Sequence, residues 1–145
     1  GAVASHRSAA RLHRLDGFRD RLQERGTPLA CVLETSHYRR EQGLQALLRY
    51  LASTPREQRV EALFCESDIL AIGALDALAS TGAQHRIAIV GFDDIEMASA
   101  PPYELTTFRQ PVDYLMSEAI RRIVEPGSLL APGTLVLRAS HRRVA

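Results

Sequence analysis

The stretch Val90-Gly91-Phe92-Asp93-Asp94 ends an apolar run and sets two carboxylates side by side just after a glycine. If the run is a strand, both carboxylates stand at its C-terminal mouth, where open α/β sheets receive their ligands. A carboxylate accepts hydrogen bonds and donates none, so such a pair suits a molecule rich in hydroxyl groups. Nothing around it points to metal chemistry. His13, His37, His85 and His141 lack a histidine partner one helical turn away and a nearby cysteine. No nucleophile elbow, phosphate-binding loop or dinucleotide fingerprint is present. The pattern predicts binding rather than catalysis, with no cofactor.

Other chemistry-bearing residues admit two readings each. Asp68 precedes an alanine-rich helical stretch, where a carboxylate caps the helix; it is also a candidate ligand contact with its neighbour Ser67. Arg14 lies near the start of a helical segment that also carries Arg11, Arg19, Arg21 and Arg25. Its spacing alone fits a solvated charge as well as a fork of donors aimed at a ligand. His6, Arg7 and Ser8 fall in the turn before that segment, where backbone N–H groups can hold an anion. The closing Arg138, His141, Arg142 and Arg143 read as a solvated basic tail.

The elements that must position these residues alternate in type. Residues 2–4 form a strand end, followed by a helix from Ser8 to Arg25 that Gly26 stops. A short apolar strand over Leu29 to Leu33 precedes a helix over Tyr38 to Ser53, with Leu44, Leu47, Leu48 and Leu51 on one face. Val60 to Cys65 reads as a strand, Ile69 to Thr81 as a helix and Ile87 to Val90 as a strand of β-branched residues. Pro101-Pro102 interrupts any helix. Leu105 to Phe108 is extended, 112–124 is an amphipathic helix and Thr134 to Arg138 is a last strand. Such alternation predicts a parallel sheet with helices on both faces.

Bulk composition fits a globular domain. The chain has 145 residues, 46% hydrophobic and 24% charged, which suffices for one sizeable core. A net charge of +1 gives no electrostatic argument for nucleic acid or a membrane surface. All 18 basic residues other than histidine are arginine, a compositional bias rather than a functional signal. Cys31 and Cys65 read as small strand hydrophobes too far apart for a metal motif. No apolar stretch reaches the roughly 20 residues that cross a bilayer, and no signal peptide opens the chain. A cytoplasmic protein is expected.

Several motifs in order carry a family resemblance. Arg14-Leu15-Asp16-Gly17-Phe18, then Ala62-Leu63-Phe64-Cys65-Glu66-Ser67-Asp68 with Ala71-Ile72-Gly73-Ala74, then Ile89-Val90-Gly91-Phe92-Asp93-Asp94, Leu105-Thr106-Thr107-Phe108-Arg109-Gln110-Pro111 and Leu135-Val136-Leu137-Arg138-Ala139-Ser140 follow one another along the chain. From Arg14 onward the sequence resembles the ligand-binding core of the lactose-repressor family of bacterial transcription regulators, which shares its fold with periplasmic sugar-binding proteins. The resemblance implies the C-terminal lobe of that core over 1–108, a segment belonging to the N-terminal lobe over 109–130, and a return strand and tail over 131–145. It implies that Asp93 and Arg14 hold a small effector, a sugar or phosphorylated sugar, and that Tyr38 stacks on it. Ser67 stands where the family has asparagine and lacks the amide donors, so its contact is expected through water or with a different ligand.

By the same resemblance a complete member begins with a helix-turn-helix headpiece, a hinge helix and most of an N-terminal lobe. This chain is expected to be the portion after them, with operator DNA reached only through that headpiece. A homodimer is expected, with no membrane partner. The apolar stripe of helix 112–124 is expected to re-dock on this lobe or to pack against a second chain. The alternatives are a periplasmic-type sugar receptor and a small α/β enzyme using Asp93 and Asp68 as an acid–base pair.

Overall fold

A computed structural model describes residues 1–5, 13–83, 86–124 and 131–142. Strands β1 (Ala2–Ser5), β2 (Val32–Thr35), β3 (Ala62–Cys65), β4 (Ala88–Phe92), β5 (Thr106–Arg109) and β6 (Thr134–Val136) make one sheet in the order β2-β1-β3-β4-β5-β6. Helices α1 (Arg14–Glu24), α2 (Arg40–Ser53), α3 (Asp68–Ser80) and α4 (Val112–Val124) alternate with them. Strands β1 to β5 pair in parallel, as the alternation predicts. Strand β6 departs from that expectation, running antiparallel to β5 with Phe108 opposite Leu135. The ladder also stops at Val136 rather than Arg138, because the Arg138 backbone N–H donates to Thr106 Oγ1 at 2.8 Å.

Register assigns the two faces. Val3, Leu63, Cys65 and Ile89 turn to one side and are buried against α2 and α3. Phe64 turns to the other, where Phe18 of α1 stacks on it with centroids 4.9 Å apart. Helix α3 has buried residues around most of its circumference, from Leu70 to Leu78, so it lies inside the layer rather than on it. It meets α2 at a close crossing: a Cβ on Gly73 would overlap the carbonyl oxygen of Arg40.

Residues 6–12 lie outside the described residues, so α1 is seen only from Arg14, and His6, Arg7 and Ser8 cannot be placed. Strand β2 sits later than the apolar run Leu29 to Leu33, because β1 continues to Ser5 and draws Glu34 and Thr35 into the ladder; Cys31 falls just before it. The stripe of α4 does not re-dock on this lobe: Val112, Met116 and Ile120 are 56%, 60% and 69% exposed. Only Gln110 and Pro111 separate α4 from β5, and both sheet faces already carry helices.

Candidate functional site

Strand β4 delivers the site. Gly91 faces the α3 side, where a Cβ would overlap Asp68 Oδ1 and press on Leu105, so the strand can cross the buried carboxylate only with glycine there. Asp93 and Asp94 then take φ values of 118° and 56°, a region that L-residues rarely occupy and that costs of order 1–3 kcal/mol each. The surroundings hold this turn. The Asp93 N–H donates to the Phe108 carbonyl at 2.9 Å, and the Ile95 N–H donates to Asp68 Oδ2 at 2.9 Å.

Asp93 and Arg14 meet at the mouth. Arg14 Nη2 stands 3.5 Å from Asp93 Oδ1, Arg14 Nη1 donates to the Glu66 carbonyl at 2.6 Å, and the guanidinium lies 3.9 Å over the Phe92 ring. These contacts come from the ends of β3 and β4 and fix the fork of the arginine. Gln110 Nε2 also donates to Asp93 Oδ1, at 2.8 Å. The pair remains open to solvent, with the Asp93 side chain 33% exposed and that of Arg14 20%. Burial raises the Asp93 carboxyl above the usual carboxylate range, outweighing the pull of Arg14 and the Gln110 bond.

Tyr38 and Ser67 lie on neighbouring loops. The Tyr38 hydroxyl donates to Glu66 Oε2 at 3.0 Å; burial and that bond push its pKa up to about 12, with Arg14 opposing. Ser67 is the N-cap of α3 and has extended backbone, yet its hydroxyl makes no capping bond. That hydroxyl is buried and has no hydrogen-bond partner among the described residues.

Asp68 corrects the sequence reading twice. It is the first residue of α3 rather than its cap, and it has no exposed surface. Its Oδ1 accepts from Thr107 Oγ1 at 2.5 Å and its Oδ2 from Ile95 N–H, so both oxygens are spent on the protein. Burial raises this carboxyl, against the lowering effect of those bonds. The residue supports the mouth from beneath instead of lining it.

Arg138 is the second correction. Instead of standing in a solvated tail, it donates Nη1 to the Leu105 carbonyl at 2.7 Å and Nη2 to Asp94 Oδ1 at 2.8 Å. Arg109 Nε donates to the other Asp94 oxygen at 2.6 Å. The Asp94 side chain is 5% exposed between them; burial raises its carboxyl, but the bonds and charges of Arg138 and Arg109 outweigh that and hold it below the usual range. A carboxyl lowered in the folded state stabilises above its unfolded value of about 3.9 and loses that contribution as pH falls through the folded value. Asp94→Asn should therefore melt lower than the parent at pH 7, and the gap should narrow as pH falls below about 4. Thermal melts across that range check it; a constant gap would show that the clamp's charge contributes nothing.

Sequence reasoning missed Glu66, Gln110 and Arg138. The local signal at Arg138 was an arginine inside a strand pattern instead of beyond it. Gln110 sits in a quoted motif, but only the fold brings it to Asp93. Among the described residues, no group of three or more His, Cys, Asp or Glu could hold a metal ion. No described helix is long and apolar enough to cross a membrane.

Comparison with known proteins agrees with this fold. The Ribose operon repressor of Escherichia coli (strain K12) is 36% identical over 127 residues, which is 83% of this chain and 37% of the repressor. The chain thus spans a little over one third of that relative. A regulatory protein of the LacI family from Chloroflexus aggregans superposes with a TM-score of 0.81 at 28% identity, covering 97% of this chain and 54% of that structure. The Lac repressor bound to ONPG gives 0.81 at 27% identity, covering 96% and 44%. The model of a periplasmic binding protein-like domain matches residues 2–140. Fold, motif order and these matches coincide, and the chain belongs to the periplasmic-binding-protein-like family and is homologous to LacI-type transcriptional repressors.

Proposed function

We propose that this chain forms one wall of the effector site in a cytoplasmic, homodimeric transcriptional repressor of the length of its relatives. The observation that carries this is the Arg14–Asp93 pair, fixed by the ends of β3 and β4 at the C-terminal mouth of the sheet and still open to solvent. Asp93 accepts hydrogen bonds from ligand hydroxyls and Arg14 donates to ligand oxygens. Tyr38 offers a ring and Ser67 a hydroxyl that has no partner among the described residues. Charge-assisted bonds of this kind are roughly twice as strong as neutral ones. No bond is made or broken, since Asp68, the other half of any acid–base pair, is sealed with both oxygens occupied.

The chain divides into a C-terminal lobe over 1–108, a segment of the opposite lobe over 109–130, and a return strand and tail over 131–145. The exposed stripe of Val112, Met116 and Ile120 supports that division, since apolar area of this kind gains roughly 1.5–3 kcal/mol per side chain on burial. Transmission runs through neighbouring residues: Gln110 holds Asp93 and Arg109 holds Asp94, so the strand leading to α4 is tied to the ligand turn. An effector that binds between the lobes shifts the operator-binding equilibrium by its differential affinity for the two states. Screening sugars and sugar phosphates against the complete regulator by thermal shift tests the reading. A stabilising ligand whose effect disappears in Arg14→Ala supports it, and one indifferent to that substitution places the site elsewhere.

A further inference from the structure

The two carboxylates of the ligand turn are bonded to the points where the chain leaves the sheet and comes back to it. Strand β5 ends at Arg109 and β6 begins at Thr134, its register partner, so residues 110–133 leave and return through one neck. On the outgoing side two consecutive residues take the two carboxylates. Arg109 Nε donates to Asp94 Oδ2 at 2.6 Å, and Gln110 Nε2 donates to Asp93 Oδ1 at 2.8 Å. On the returning side, beyond Thr134, Arg138 Nη2 donates to Asp94 Oδ1 at 2.8 Å. Asp94 is held by both sides of the neck at once.

The two arginines are not equivalent. The Arg109 side chain is 58% exposed, and an ion pair with that much solvent around it contributes little. The Arg138 side chain is 18% exposed, and the residue is anchored twice at the start of β5. Its backbone N–H donates to Thr106 Oγ1 at 2.8 Å and its Nη1 to the Leu105 carbonyl at 2.7 Å. The planar fork of the guanidinium reaches from that carbonyl to Asp94, which the point charge of an ammonium cannot do. The turn it grips needs such a hold. Asp93 and Asp94 have φ values of 118° and 56°, and backbone in that region persists only where the surroundings impose it.

We infer, resting on the effector reading above, that Arg138 is a positioning residue for the ligand acceptor Asp93. Acting through Asp94, it is the fixed arm of a clamp whose movable arm, Arg109 with Gln110, carries motion between the neck and the ligand turn. The test is hydrogen exchange of the complete regulator without ligand, read by mass spectrometry at two amides of the turn: Asp93, which donates to the Phe108 carbonyl, and Ile95, which donates to Asp68. In the parent both should exchange faster than the β3 amides, because a turn that opens locally does so at a lower free energy than the core. Arg138→Lys keeps the charge and loses the fork; it should speed both amides by about tenfold, and Arg109→Lys by less than about threefold. Asp94→Asn weakens both arms without changing the side chain's shape. It should speed the amides at least as much as Arg138→Lys, and it serves alone if that variant does not fold. Combined, the two should give less than the product of their separate effects, since they remove the same bond. Whichever of D-ribose and D-glucose the parent binds should bind Arg138→Lys about tenfold more weakly in calorimetric titration.

Several results overturn the inference. Turn amides that keep the parent's exchange in Arg138→Lys and Asp94→Asn while the melting temperature falls would make the clamp merely structural. A larger effect from Arg109→Lys than from Arg138→Lys would reverse the two arms. A parent turn as protected as β3 would move only with the whole lobe and pass nothing on. A sugar that Asp93→Ala no longer binds, but that Arg138→Lys binds as the parent does, would leave Arg138 without a positioning role. Failure of the underlying reading looks different: the turn amides respond as expected, yet Asp93→Ala and Arg14→Ala bind the sugar as tightly as the parent. The clamp then stands and the effector site lies elsewhere.

Discussion

Asp93→Ala should weaken effector binding by at least about tenfold, with the fold intact. The estimate follows from losing a charged acceptor for ligand hydroxyls, worth about 1.5–3 kcal/mol, at tenfold in affinity per 1.4 kcal/mol. Arg14→Ala should give a loss of similar size. The double substitution should cost less than the sum of the two, because each removal already frees the partner of the pair, 3.5 Å away, from its counter-charge. Titration calorimetry of the four proteins with one stabilising sugar reads the coupling directly. Affinity should also fall on acidification. Burial raises the Asp93 carboxyl, so its ionised form is lost at a higher pH than for an ordinary aspartate, and the protonated form is the weaker acceptor.

The largest effect on stability belongs to Gly73→Ala. The added methyl would overlap the Arg40 carbonyl oxygen and sit 2.7 Å from the Leu44 nitrogen. Both are backbone atoms of α2, so no side-chain rotation relieves the clash and the two helices must part. Overpacking usually costs 1–3 kcal/mol; with rigid backbone on the far side, about 3 kcal/mol or more is expected. Urea unfolding should show the midpoint falling with little change in slope. A loss below about 1 kcal/mol would mean that α2 yields freely. The consequence reaches the site, because α2 follows Tyr38 directly and α3 begins at Asp68.

Which parts of this were legible depended on whether the signal was local. Leu44, Leu47 and Leu51 announce α2 by spacing alone, and the apolar strands announce the parallel sheet. Strand direction is not written in a strand's composition, so the antiparallel β6 had to wait for the fold. Asp93 and Arg14 could be singled out through their motifs, though their proximity is a product of β4 and α1 meeting over Phe92. Asp68 was misread because a carboxylate at a helix start ordinarily caps it; here the helix begins one residue earlier than its apolar pattern, and Thr107 and Ile95 claim the oxygens. Glu66 gave no signal, since a glutamate beside serine and aspartate reads as a solvated loop charge. Only the approach of Tyr38 from another loop shows it buried.

The central claim is that a ligand at Asp93 and Arg14 is sensed and passed on. The most direct measurement is operator affinity of the complete regulator, with and without a saturating stabilising sugar, in the parent and in Asp93→Ala. The parent should change its operator affinity by roughly 5- to 150-fold when the sugar is added, the range of ordinary allosteric coupling. Asp93→Ala should bind operator as the parent does without sugar and show no change when sugar is added at the same concentration. A variant that responds to the sugar as fully as the parent would contradict the account.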